Sequence, residues 1–279
     1  MKFLSLIFIL ICGFTYSQTH RFIYEYQFKP NPKAENFRKA NMVLDVNPDE
    51  VKFYDYNHLI NDSINKKGGR NYSWNGNPSV KRNRNSFKNS SYEMTKDYFL
   101  VNSEDPITWK LSEETKKTGE YTLQKATTDF KGRKWTAWFC KEVNIEEGPY
   151  KFCGLPGLIF ELSDDEQNFI FKLIKSEKLA KTYDTTDFIE NFGGKKPFEM
   201  SQKALNKMLL EYYNDPMREI RERFDDVPEG TFSVGGKPVK SKDQLKDMAK
   251  VMQEHIRKNH NPIELTGTVM YPEDKKKYQ

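Results

Sequence analysis

The sequence predicts an α+β, mainly β domain: an antiparallel sheet with C-terminal helices packed on it. Three observations lead there. Phe22, Tyr24, Tyr26 and Phe28 stand at spacing two, which on a strand puts four aromatic rings on one face. Alternating segments separated by Gly-, Pro- and Asn-containing turns then recur as far as about Lys175. Beyond it the apolar spacing turns helical, in Ala204, Leu205, Met208, Leu209 and Tyr212, and again in Leu245, Met248, Val251, Met252 and Ile256.

Taken in order, His20 to Phe28 is the first strand. Asn41 to Val46 and Val51 to Tyr56 form a hairpin around Asn47-Pro48-Asp49-Glu50, and His58 to Ile64 is a short helix. Residues 66–91 contain Gly68-Gly69, many Asn and Ser, and the basic Lys81, Arg82, Arg84 and Lys88. That composition reads as a long mobile loop: a solvated insertion, a lid, or a contact to acidic lipid. Tyr92 to Asn102, Ile107 to Leu111, Glu120 to Phe130 and Arg133 to Val143 follow as strands. In the last of these, Trp135, Ala137 and Phe139 share one face, and Thr136, Trp138 and Cys140 the other. With a tryptophan on each face, at least one is covered by something other than water. Leu158 to Leu162 and Phe169 to Ile174 make a further hairpin, turning at Ser163 to Asn168. A helical part covers 199–260: Ser201 and Ser241 are N-caps, Asp215-Pro216 interrupts the first helix, and residues 228–242 are loop. Residues 266–279 read as a tail.

Residues 1–17 have the pattern of a secretory signal peptide. Lys2 precedes an apolar run from Phe3 to Phe14, and Thr15-Tyr16-Ser17 places cleavage before Gln18, with a cut after Gln18 as the alternative. Cys12 would suit a lipoprotein, but Ile11 stands where a lipobox has a small residue. No other segment has the roughly 18 apolar residues of a membrane helix, so no transmembrane span is expected in the mature chain. A single domain over 18–265 is expected. The balance of 45 basic and 40 acidic residues, net +5, is too mild to suggest nucleic acid as a partner. Cys140 and Cys153 flank a predicted turn at Glu146 to Pro149, where they either form a disulfide across a hairpin or pack as buried thiols.

The densest motif is Gly148-Pro149-Tyr150-Lys151-Phe152-Cys153-Gly154-Leu155-Pro156-Gly157-Leu158-Ile159. With Thr127 to Arg133, Trp135 to Phe139 and the closing Asn261-Pro262-Ile263-Glu264-Leu265, it resembles the GLPGLI family of exported Bacteroidetes proteins, which has no settled activity. The resemblance implies a Gram-negative envelope location: periplasmic, outer-membrane-associated or extracellular. It departs from the family at Leu123, where members often carry a Cys, so Cys153 lacks that partner and Cys140 is the candidate replacement. The aromatic meander followed by helices also resembles LolA-type periplasmic lipoprotein carriers, which implies a curved, half-barrel-like sheet around an apolar cavity.

Gly148, Pro149, Gly154, Pro156, Gly157 and Ile159 shape backbone rather than perform acid–base chemistry. The motif is therefore either a latch where the chain re-enters the sheet or the rim of an apolar groove. Trp135, Trp138, Tyr150, Phe152, Leu155 and Leu158 are the candidate ligand-binding residues, with core packing as the alternative for the aromatic ones. His20, His58, His255 and His260 fall in no metal or protease motif, and the sequence has no G-x-S-x-G elbow, H-E-x-x-H or P-loop. No catalytic residue, metal or cofactor is expected. Asp164, Asp165 and Glu166 read as solvated turn residues. The expected function is non-enzymatic: binding or carrying an apolar or peptide ligand in the cell envelope, with an outer-membrane protein as candidate partner. The alternatives are a hydrolase using carboxylates such as Asp129 and Asp164, and a structural subunit of an envelope assembly.

Overall fold

The computed structural model describes residues 19–224 and 233–272, so the signal-peptide reading and residues 273–279 of the tail lie outside the described residues. Twelve strands form one sheet: β1 (Thr19–Phe28), β2 (Arg38–Val46), β3 (Glu50–Asp55), β4 (Ser79–Asn83), β5 (Lys88–Met94), β6 (Tyr98–Glu104), β7 (Lys110–Thr118), β8 (Tyr121–Phe130), β9 (Arg133–Cys140), β10 (Leu158–Asp164), β11 (Phe169–Leu179) and β12 (Phe198–Met200). Their order is β12-β6-β5-β4-β3-β2-β1-β11-β10-β9-β8-β7, with β7 and β12 as the two edges. All pairings are antiparallel except the short β12 on β6. The sheet is mainly β, curved and open, as the sequence predicts. Its curvature follows from its core, where Val80 of β4 and Leu123 of β8, well separated in strand order, belong to one cluster.

Most of the inner face is packed. Phe22, Tyr24 and Tyr26 of β1 meet Phe169 and Phe171 of β11, Trp135 and Phe139 of β9, and Phe152 from the segment before β10. The spacing-two reading of β1 therefore holds, but its other face is covered too. Ile23 joins Val43, Tyr54, Tyr92 and Tyr98 beneath Phe188 and Ile189, which sit on a π-helical turn, Thr186–Glu190. On that outer face the buried Arg21 is bidentate on Asp45 at 2.7 Å, and Asp45 also accepts from the Tyr54 hydroxyl at 2.7 Å.

Residues 66–91 correct the loop reading. Irregular chain runs only from the end of α1 (Asn57–Asn65) to residue 78, and β4 and β5 then form a hairpin. The 66–78 stretch is tethered as well: the Asn75 and Asn77 amides donate to Asp55 at 3.1 and 2.6 Å, and Trp74 packs in the outer cluster. The hairpin escapes a periodicity search because buried Ser79, Arg82 and Asn89 take places where alternation would put apolar residues. The predicted strand Tyr92 to Asn102 is likewise two strands, joined where the Thr95 N–H donates to the Asp97 carbonyl.

At the far end of the chain, α2 (Gln202–Asn214) seats Leu205 against Phe99 and Val101, and α3 (Arg218–Phe224) and α4 (Lys242–Lys258) enclose Met217, Val239 and Leu245. Both predicted caps form: Ser201 Oγ accepts from the Ala204 N–H at 3.2 Å and Ser241 Oγ from Gln244 at 3.4 Å. Among the described residues no helix is long and apolar enough to cross a membrane.

Candidate functional site

The chain between β9 and β10 does not form the expected hairpin. It folds inward over the concave face and fills it. The Leu158 N–H donates to the Val143 carbonyl at 3.1 Å, the Ile159 N–H to Glu147 at 3.0 Å and the Gly154 N–H to Glu146 at 3.0 Å. Tyr24 reaches across to donate its hydroxyl to the Ile159 carbonyl at 2.7 Å, and Trp109 Nε1 donates to the Cys153 carbonyl at 2.9 Å. Gly148 lies so close to Ile159 that a Cβ there would stand 2.5 Å from its Cδ1. These contacts are those of a latch. Pro149 offers its carbonyl to the Phe152 N–H at 3.2 Å, while Gly154 and Pro156 face solvent.

This arrangement packs three of the six predicted lining residues into the core. Trp135, Phe152 and Leu155 are buried against one another and the surrounding core, which leaves them no face for a ligand. Trp138 is half-buried on the alternate face, with the Lys116 and Lys125 ammoniums 4.4 and 5.9 Å from its ring centroid. Of the two alternatives for the cysteines, the structure has the second: Cys140 and Cys153 are free buried thiols. Without a hairpin between them, Cys140 pairs in register with Leu158, and Cys153 bridges to Glu147.

Of the six, Leu158 lines a groove at one end of the sheet and Tyr150 a pocket at the other. Because neighbouring strands are antiparallel, the start of β1, the end of β2, the start of β10 and the end of β11 all lie at one end of the sheet. There Phe22, Val46, Leu158, Phe160 and Leu173 floor a groove of about 910 Å3, with Val143 as part of its other wall. Its rim is basic. Burial first, then the charges of Lys178 and Arg84, lower the pKa of His20.

At the opposite end a second, more polar pocket of about 520 Å3 holds Tyr150, Lys151, Glu93 and Glu264. Three of the four stretches that carry the family resemblance, Thr127 to Arg133, Gly148 to Ile159 and Asn261 to Leu265, come together here. Arg133 donates to the Pro262 carbonyl at 2.9 Å and to Asn261 at 2.8 Å, and the Leu265 N–H donates to the Lys131 carbonyl at 2.8 Å. The Tyr150 hydroxyl donates to Glu264 at 2.7 Å, and buried Lys151 ion-pairs with Glu264 at 2.6 Å and Asp105 at 3.0 Å. Tyr150 has φ +59°, a left-handed conformation that a bulky side chain adopts only under constraint from its surroundings. Although burial opposes its charge, Lys151 and Lys131 hold the Asp105 carboxyl at about 2. Glu93 lines this pocket from an exposed position on β5; the surrounding walls raise its pKa to about 7 by desolvation, Lys151 opposing and Glu264 adding to the shift. Sequence reasoning missed Glu93, Asp105 and Lys151, whose only signal was a charged residue inside an aromatic motif at Lys151.

Asp129 and Asp164 do not form a catalytic pair. Asp129 is exposed, whereas Asp164 is buried, ion-paired with Arg133 at 3.1 Å and accepting from the Phe169 N–H at 2.8 Å. Asp164 thus anchors its turn, where the sequence suggested a solvated residue. Among the described residues no cluster of three or more His, Cys, Asp or Glu could hold a metal.

A family model described as a protein of unknown function (Porph_ging) matches residues 128–161, which include the hexapeptide Gly154 to Ile159. Two solved structures of PNGF-II are similar in fold. The one in space group C2 has TM-score 0.50 at 17% identity over 68% of this chain and 32% of its own. The one in P21 has TM-score 0.50 at 16% identity over 68% and 33%. The chain thus spans about a third of the PNGF-II chain, and at this identity the likeness extends to the fold alone. No curated protein matches.

Proposed function

We propose that this chain is an exported, GLPGLI-type binding protein of the cell envelope that holds an apolar ligand in the groove floored by Phe22, Val46, Leu158, Phe160 and Leu173. The observation that carries the reading is the contrast within one concave face: most of it is packed by the chain itself, but its end at β1, β2, β10 and β11 stays open above an apolar floor. The segment at residues 1–17 supports export, and the match over 128–161 supports the family. Leu158, the fifth residue of the hexapeptide, links motif to groove.

Isothermal titration with uncharged alkanols of increasing length tests this. Affinity is expected to rise about fourfold per methylene, as for chains leaving water. Val143→Glu and Leu173→Lys, at half-buried positions, are expected to weaken dodecanol binding by about tenfold or more, because each puts a charge beside the chain. Binding that ignores chain length, or that survives both substitutions, overturns the reading.

A second reading, carboxylate-dependent hydrolysis, draws on the opposite pocket. Glu93, whose pKa is raised to about 7, and Glu264, ion-paired with Lys151, are two carboxyls lining the same space. The same shift makes a stability prediction. The folded-state value of about 7 lies above the ordinary 4.5, so the fold disfavours ionised Glu93. Glu93 therefore leaves stability untouched below about 4.5 and lowers it as pH rises through about 7. Glu93→Gln is expected to flatten the Tm profile across this window and raise Tm at higher pH. An unchanged profile would show that Glu93 does not titrate there.

A further inference from the structure

Resting on the reading of the groove as an apolar-ligand site, we propose that its ligand is a fatty acid: a single acyl chain on the apolar floor with its carboxylate held at the rim by Arg84, Lys178 and His20. The floor alone would suit any hydrocarbon; the rim narrows the class. Arg84 follows the end of β4 and is anchored through its backbone, its N–H donating to the Asp49 carbonyl at 3.0 Å. Its side chain also lines the groove, where its Nε is buried and has no acceptor among the described residues. A buried guanidinium nitrogen left without an acceptor is costly, and a carboxylate is the acceptor whose two oxygens match the guanidinium fork.

The charges around Arg84 are not answered by the protein. Lys178, exposed near the end of β11, has no ion pair among the described residues, and neither has Arg84. The groove has two acids, Glu177 and Glu120. Glu177 is engaged by Lys175 at 3.0 Å, and Glu120 is exposed at the β7–β8 turn. His20, Arg84 and Lys178 all line the groove, and His20 is near enough to both cations for each to oppose its protonation. A chain with no head group would leave this cluster unsatisfied, and a cationic amphiphile would be repelled by it.

The test is calorimetric titration of the purified full-length mature protein with dodecanoate, dodecanol and dodecyltrimethylammonium, all below their aggregation thresholds. Dodecanoate is expected to bind at least about tenfold tighter than dodecanol, from charge-assisted hydrogen bonds at Arg84, and the ammonium ligand weakest. Arg84→Met keeps the apolar stem and removes the fork. It is expected to abolish the preference for dodecanoate while leaving dodecanol affinity unchanged. Arg84→Lys should restore part of the preference, and Lys178→Met, at an exposed site on β11, should reduce it. Added salt should weaken dodecanoate and spare dodecanol. Equal binding of dodecanoate and dodecanol, insensitive to Arg84→Met and Lys178→Met, would overturn the fatty-acid inference and leave the apolar groove standing. Failure of both ligands to bind would remove both.

Discussion

Gly157→Ala is expected to cost about 3–5 kcal/mol, enough to unfold a large fraction of a marginally stable domain. Two separate causes act together. Gly157 has φ +145°, a backbone conformation that L side chains rarely adopt, and a Cβ built there would stand 2.1 Å from the Cys140 carbonyl oxygen and 2.9 Å from the Lys141 Cα. The obstacle is backbone at the end of β9, so no side-chain rotation relieves it. Gly148→Ala should cost less, since its Cβ would meet the Ile159 side chain, which can shift at some expense to packing. Urea denaturation of both variants checks the ranking. A Gly157→Ala protein with wild-type midpoint and slope would mean that the hexapeptide does not lock against β9.

The second large effect lies in the ion pair between Arg82 and Glu147, whose side chains are 1% and 2% exposed. Arg82 points inward from β4, and Glu147 belongs to the segment that fills the concave face, so the pair ties one wall of the curve to its contents. Removing either partner strands a charge in the interior. Arg82→Met and Glu147→Gln are each expected to cost about 3–5 kcal/mol. The double variant should cost far less than the sum, because its buried charges have gone together. A double-mutant cycle from chemical denaturation measures this, and strictly additive costs would mean that the two side chains do not share their stability. Arg82 Nε and Nη1 have no hydrogen-bond partners among the described residues, which adds to the expectation that an apolar replacement of the pair is tolerated.

Much of the β framework was legible because its signals are local. The alternation of Phe22, Tyr24 and Tyr26 marks the inner face of β1 whatever lies opposite, and Trp135, Ala137 and Phe139 do the same for β9. The π-helical turn over the outer face was not legible, because the residues it covers, Ile23 and Val43, alternate with inner-face residues and simply lengthen apolar runs. Both faces being covered erases the polar half of the pattern. In the motif, glycines and prolines announced a constrained backbone, and the latch alternative is the one its geometry supports. Of the aromatic ligand candidates, Trp135 and Phe152 took the core alternative: ring composition does not distinguish a wall that faces a cavity from one that faces another ring, as these two do at 4.7 Å.

By itself, then, the sequence determined the strands with clean alternation, the interruption at Asp215-Pro216 and the two serine caps, since backbone sterics and hydrogen bonds within a few residues decide these. Tertiary structure decided the rest. It turned Ser79 to Met94 into a hairpin by giving Arg82 a buried acid 65 residues away, and it kept Cys140 and Cys153 apart by folding the chain between them inward. It also gathered Glu93, Lys151 and Glu264 into one pocket while leaving a groove at the other end. Each of these outcomes depends on which distant groups share a volume from which water is excluded, and no local propensity encodes that.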